Sequence, residues 1–181
     1  MALVALGLGS NREPRRHLAA GLQALEARYG QLQLSDVFES EPVGFRGPDF
    51  LNLVATLETS ETLEELFHFV KQLEASHGRL RDAPRFSDRS LDIDILLFGD
   101  LCGRYEVGGK YGESYREEQG EAYGEVILPR PEVTENAYVL RPLAQLLGAR
   151  LHPPTGKTYG QLWEGFDPST QRVRPAGFSF R

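Results

Sequence analysis

One cysteine, one methionine and one tryptophan among 181 residues set the first limits on this chain. A lone thiol, Cys102, has no partner for an internal disulfide, and a reducing cytoplasm is the expected setting. Long apolar runs are missing as well. Nothing approaches the roughly 20 residues that a membrane helix needs, and the first residues carry no basic-then-apolar leader. Basic charge is in deficit, with 20 Lys and Arg against 26 Asp and Glu and a formal net charge of −6. That balance argues against a general nucleic-acid binder.

What is present is ordinary for a soluble globular protein: 40% hydrophobic and 25% charged residues. The length fits one domain, residues 1–181, with a substantial core. Ala2 to Leu8 is a short apolar run without helical period, ended by the loop "GLGSN" (7–11), and predicts a central strand. Ser10 or Asn11 is placed to cap a helix with Pro14 in its first turn. Leu18, Leu22, Leu25 and Tyr29 share one face of that helix, and Gly30 ends it.

Residues 34–40 predict a strand, followed by a turn-rich loop over 41–49. In "FLNLVATLET" (50–59) Leu51, Leu53, Ala55 and Leu57 face one way, while Phe50, Asn52, Val54 and Thr56 face the other. A helix follows around 61–77, with Leu63, Leu66, Phe67, Val70 and Leu73 at helical spacing. Leu91 to Phe98 supplies a fourth strand. The order strand, helix, strand, strand, helix, strand is the split βαβ arrangement. It predicts an α+β fold, ferredoxin-like, with a four-stranded antiparallel sheet and two helices on one face.

Residues 100–126 sustain no apolar period and are rich in glycine, tyrosine and acids; they predict a long hairpin or a mobile loop. A third helix is expected within 127–148, and a C-terminal extension adds a small element around Trp163.

Two carboxylates interrupt the fourth strand. Asp92 and Asp94 share a face, opposite Leu91, Ile93 and Ile95. Paired carboxylates on a rigid strand suit Mg²⁺, which takes oxygen ligands and keeps waters and phosphates as the rest. Pairing with nearby arginines, or a simply wet face, fits the same pattern. Just upstream, "RLRDAPRFSDR" (79–89) holds Arg79, Arg81, Arg85 and Arg89. Their planar forks suit phosphate or carboxylate, although a solvated, salt-bridged loop has the same composition. Cations that grip phosphate beside anions that grip Mg²⁺ together form a nucleoside-triphosphate site, so each feature strengthens the other. "TGKT" (155–158) looks like the end of a P-loop, but Leu151 stands where that motif needs its first glycine. It is expected to be a surface turn. Asn52, an amide beside Phe50, has the donors and acceptor to read a heterocycle edge; it equally fits a satisfied strand asparagine.

These stretches resemble the 6-hydroxymethyl-7,8-dihydropterin pyrophosphokinases of folate biosynthesis. The likeness runs through "LGLGSN" (6–11), "FESEPVG" (38–44), "PDFLN" (48–52), "GRLRDAPRFSDRSLDIDILLFG" (78–99) and "LPRPEVTENAYVLRPL" (128–143). It implies transfer of the terminal diphosphate of ATP to the pterin hydroxymethyl oxygen, releasing AMP. Asp92 and Asp94 match the family's ligands for two Mg²⁺ ions, and Arg79 and Arg89 its catalytic, phosphate-contacting arginines. Glu74, Arg81, Arg85, Phe86, Ile95 and Arg130 fall at ATP-site positions. Ser40, Val43, Phe50, Asn52 and Tyr138 fall at pterin-site positions, Phe50 and Tyr138 packing against the bicycle. The resemblance also implies small-molecule substrates, a monomer, and no nucleic-acid or membrane partner.

Three positions depart from the family pattern. Arg130 replaces a nucleotide-contacting histidine, Asn136 an arginine and Phe86 a tryptophan. Two other classes remain to be weighed. A ferredoxin-like ligand- or RNA-binding module predicts exposed sheet aromatics and a basic face. Another Mg²⁺-dependent phosphotransferase or nuclease leaves Asn52 and its aromatic neighbours without a role.

Overall fold

In the computed structural model, residues 1–78, 89–108 and 124–180 are described. The chain opens with strand β1 (Ala2–Ser10) and helix α1 (Pro14–Tyr29). Two short strands, β2 (Gln33–Leu34) and β3 (Phe38–Ser40), lead into the long strand β4 (Phe50–Thr59). Helix α2 (Leu63–Ser76) begins with a capping box: the Thr62 hydroxyl accepts from Glu65 N–H, and the Glu65 carboxylate accepts from Thr62 N–H. Strand β5 (Asp92–Phe98) follows.

These strands form one antiparallel sheet in the order β3-β4-β1-β5, with β2 also on β4. A further strand, β10 (Val173–Pro175), joins the outer edge of β3. The expected four-stranded sheet is thus extended to six. Residues 34–40 do not form one continuous strand. Leu34 stands opposite Ala55 and Phe38 opposite Asn52, so three residues on one side face two on the other. That extra residue breaks the ladder as a bulge does.

Strand faces alternate, and β4 is buried on both. Leu51, Leu53, Ala55 and Leu57 meet α1 and α2 through Leu18, Leu22, Leu66 and Val70 in one core layer. The opposite face carries Ala5, Val54, Leu96 and Leu97 and packs against a third helix, α4 (Ala137–Leu147). Helices therefore cover both faces of the sheet. Leu96 and Leu97 both join the second layer because β5 slips by one residue there: Ile95 faces Leu6 and Leu97 faces Ala5.

Strands β6 (Gly103–Val107) and β7 (Gly124–Leu128) pair antiparallel, so the ends of the 100–126 stretch are the arms of a hairpin. Its middle lies outside the described residues. After the one-turn helix α3 (Glu132–Glu135) and α4, strands β8 (Leu151–His152) and β9 (Lys157–Thr158) make a small hairpin. Gly156 at its turn has φ of 69°, so "TGKT" is the surface turn expected. Helix α5 (Tyr159–Glu164) then packs on α4. Among the described residues no helix is long and apolar enough to cross a membrane.

The caps expected for α1 are otherwise employed. Glu13, in the left-handed region at φ 42°, is the N-cap and makes no side-chain capping bond. The Ser10 hydroxyl donates to Arg12 C=O. Asn11 turns toward Arg89: its Oδ1 accepts from Arg89 N–H at 2.7 Å, and its own N–H donates to Arg89 C=O at 3.0 Å.

Candidate active site

Residues directly opposed in an antiparallel sheet share a face. One row runs Asp92, Gly9, Asn52, Phe38, and the next runs Asp94, Gly7, Val54. The two carboxylates and Asn52 thus stand on the same floor, separated by glycine. A Cβ on Gly9 would lie 3.0 Å from Asn52 Oδ1 and 3.8 Å from the Phe50 ring. The glycines of "LGLGSN" keep this floor bare, and above it lies a cleft of about 720 Å³.

Both aspartates line the cleft, while Ile93 and Ile95 are buried among the core residues. Burial, then the neighbouring Asp92 charge, raise the Asp94 carboxyl to about 7, with Arg130 and Lys71 pulling it down and Glu74 pushing it up. Two carboxylates this close on one surface call for a cation. Arg130 supplies one: its Nη2 is 3.3 Å from Asp94 Oδ1, and its Nε is 3.1 Å from Glu132 Oε2. Its backbone N–H donates to Leu96 C=O at 2.9 Å, where β5 slips register, so the guanidinium is anchored beside the pair.

Glu74 is completely buried and is absent from the cleft lining. Its Oε1 accepts from Ile93 N–H at 2.8 Å, and its Oε2 takes the Lys71 ammonium at 3.0 Å. It fastens α2 to the strand that carries the aspartates. Ile95 does reach the cleft wall. Arg89 lines the cleft with its backbone held by Asn11. Arg79, Arg81, Arg85 and Phe86 lie outside the described residues.

Ser40, Val43, Phe50, Asn52 and Tyr138 all line the same cleft. Asn52 is buried, and its Nδ2 donates to Ser40 Oγ at 2.7 Å. Its Oδ1 faces the bare floor at Gly9. Val43 is exposed at the rim. The Tyr138 hydroxyl accepts from Asn136 Nδ2 at 3.0 Å; burial and the aspartate charges push its pKa up to about 12, so the phenol stays neutral. Phe45, Lys71 and Glu132 line the cleft, and Asn11 holds the Arg89 backbone beside it, although no sequence motif marked them as site residues. Phe45 stands edge-on to Phe50, with centroids 6.2 Å apart, and only its place in an otherwise turn-rich loop hinted at it. Lys71 sits on a helix already explained by its apolar face.

Residues 5–148 match the family described as 7,8-dihydro-6-hydroxymethylpterin-pyrophosphokinase (HPPK). A 2-amino-4-hydroxy-6-hydroxymethyldihydropteridine pyrophosphokinase of Porphyromonas gingivalis is 34% identical over 158 residues, covering 84% of this chain and 95% of that one. The Aquifex aeolicus enzyme of the same name is 37% identical over 155 residues, covering 84% and 85%. In fold the chain resembles a Plasmodium falciparum HPPK-DHPS, with a TM-score of 0.67 at 14% identity. Another HPPK-DHPS, solved in complex with substrates, gives 0.69 at 12%. The chain spans 43% of each of those two longer proteins. The chain belongs to the 7,8-dihydro-6-hydroxymethylpterin-pyrophosphokinase family.

Proposed function

We infer how this cleft carries out the family's reaction, the ATP-dependent transfer of diphosphate to the hydroxymethyl group of 6-hydroxymethyl-7,8-dihydropterin in folate biosynthesis. The observation that carries the assignment is the shared floor: the aspartate pair and the Asn52–Phe50 pocket lie one bare glycine apart. A pterin hydroxymethyl group bound at one end is thereby delivered beside the phosphates held at the other. The oxygen attacks the β-phosphorus, the bond from that phosphorus to the α–β bridging oxygen breaks, and AMP leaves while the alcohol proton passes to solvent.

Asn52 has an acceptor aimed at the floor, and Ser40 sits behind it to fix the amide orientation. Phe50, braced by Phe45, and Tyr138 supply ring faces for the bicycle. Val43 closes the rim. Asp92 and Asp94 are the residues that would hold Mg²⁺. The donor set fits: two neighbouring carboxylates, and among the described residues no third acidic, His or Cys side chain converging on them, which leaves positions for water and phosphate. Bound there, Mg²⁺ supplies charge neutralisation and acidifies the attacking alcohol. The count of two ions rests on the family resemblance, and Mn²⁺ bound per chain in the presence of a non-hydrolysable ATP analogue would check it.

Arg89, its backbone held by Asn11, and Arg130, anchored through its backbone to Leu96, are placed to meet phosphate. Glu74 serves the nucleotide end indirectly, by fixing β5. Arg79, Arg81, Arg85 and Phe86 retain the phosphate- and nucleotide-binding roles that the resemblance implies. The strand order β3-β4-β1-β5 with α1 and α2 on one face supports a ferredoxin-like core, 1–181 forming one domain. The sheet face that an RNA-binding module would leave open lies partly beneath α4, which favours an enzyme acting on small molecules; a monomer follows from the family resemblance, and a cytoplasmic setting from the lone cysteine. Incubation with ATP, Mg²⁺ and the hydroxymethyl dihydropterin should release AMP only when the pterin is present. ADP, or release without pterin, would contradict the assignment.

A further inference from the structure

The family match stops at residue 148, yet the chain beyond it returns to the pterin end of the cleft. Helix α4 begins at Ala137, whose N–H is one of the donors a helix start leaves unpaired. Its N-cap, Asn136, makes no side-chain capping bond. Gln171 fills that role from the tail. Its Oε1 accepts from Ala137 N–H at 2.8 Å, and its Nε2 donates to Glu135 C=O at 2.7 Å. One side chain thus clamps the α3–α4 junction on both sides of Asn136, one residue before Tyr138.

Two residues further, β10 pairs with β3, with Val173 opposite Ser40 and Pro175 opposite Phe38. From α4, Arg141 donates to Val173 C=O at 2.9 Å, and its guanidinium lies 4.7 Å from the Phe38 ring centre. The tail is therefore bonded to both walls of the pocket assigned to the pterin: the helix that carries Tyr138 and the strand that carries Ser40.

We propose that the tail segment 171–175 is a positioning element for the pterin subsite, with Gln171 setting the Tyr138 wall against the Ser40–Asn52 wall. This rests on the pterin assignment above. Gln171 touches no reacting atom; it acts through the placement of Tyr138. A bicycle gripped between two faces is sensitive to their separation, whereas Asp92, Asp94 and Arg89 stand on β5 and the residues just before it, and segment 171–175 is bonded to β3, α3 and α4.

The test is steady-state kinetics of Gln171→Ala and Arg141→Met, each removing one tie. The expected result is a KM for the pterin raised about tenfold, with the KM for ATP unchanged within about twofold and the fold intact by circular dichroism. Pterin binding to the ATP-analogue complex, followed by fluorescence, should weaken in parallel. Equal loss for both substrates, or a lower melting temperature with unchanged pterin affinity, would overturn the proposal by making the tail a general brace. A wild-type protein that forms no pterin-dependent AMP would instead overturn the underlying reaction, and the inference with it.

Discussion

Asp94 meets competing demands. It needs a cation because Asp92 shares its surface, and burial makes its own charge costly. Raised to about 7, its carboxyl binds a proton in the folded protein that it has already released, near pH 4, in the unfolded chain. Stability of the metal-free protein should therefore fall as pH climbs from about 4 to about 7. Melting curves across that range would show the slope, and Asp94→Asn or added Mg²⁺ should flatten it. Arg130 belongs to the same balance. As the cation beside Asp94, it would compete with a metal for that oxygen. Arg130→Gln should bind Mn²⁺ several-fold more tightly in the absence of nucleotide, read by electron paramagnetic resonance titration, while ATP affinity drops. Unchanged Mn²⁺ affinity would mean that the ion pair does not guard the site. The alternation of Asp92 and Asp94 was legible because a strand's period of two is intrinsic to its backbone. The ion pair was not, since Arg130 lies 36 positions along the chain and its partner is set by the register slip at Leu96.

At the scale of elements, local patterns carried far and long-range partners set their limits. The faces of α1, α2 and β4 followed from apolar spacing, and the aspartate strand fell where the run 91–98 placed it. Ser10 and Asn11 look like helix caps because capping is a local rule. In the folded chain Asn11 instead pins Arg89, 78 positions away. The break in 34–40 depends on how β4 is matched, which no property of those seven residues encodes. Strand β10 is three residues long and ends in Pro175, acceptable only because it lies at a sheet edge. Glu74 shows what tertiary contact adds to a helix. Removing its carboxylate leaves Ile93 N–H buried and unpaired, and Glu74→Ala should cost about 1–3 kcal/mol of stability. Chemical denaturation would measure that loss, and turnover should fall along with it as β5 loosens.

Across the whole molecule, one cleft floor draws on distant parts of the chain: β3, β4 and α4 carry the residues proposed for the pterin, β1 and β5 those proposed for the phosphates. The motifs of each half were readable separately, and the sheet order makes them neighbours. The bare row at Gly7 and Gly9 joins them. The extension past residue 148 then braces the pterin end. Function on this account depends most on the aspartate pair, because it faces the place where negative charge must be neutralised during transfer. The direct test is the rate of AMP formation by Asp92→Ala and Asp94→Ala, with the fold monitored by circular dichroism. A folded variant should lose roughly a thousandfold or more in turnover. Mg²⁺-dependent turnover surviving in either would contradict the account.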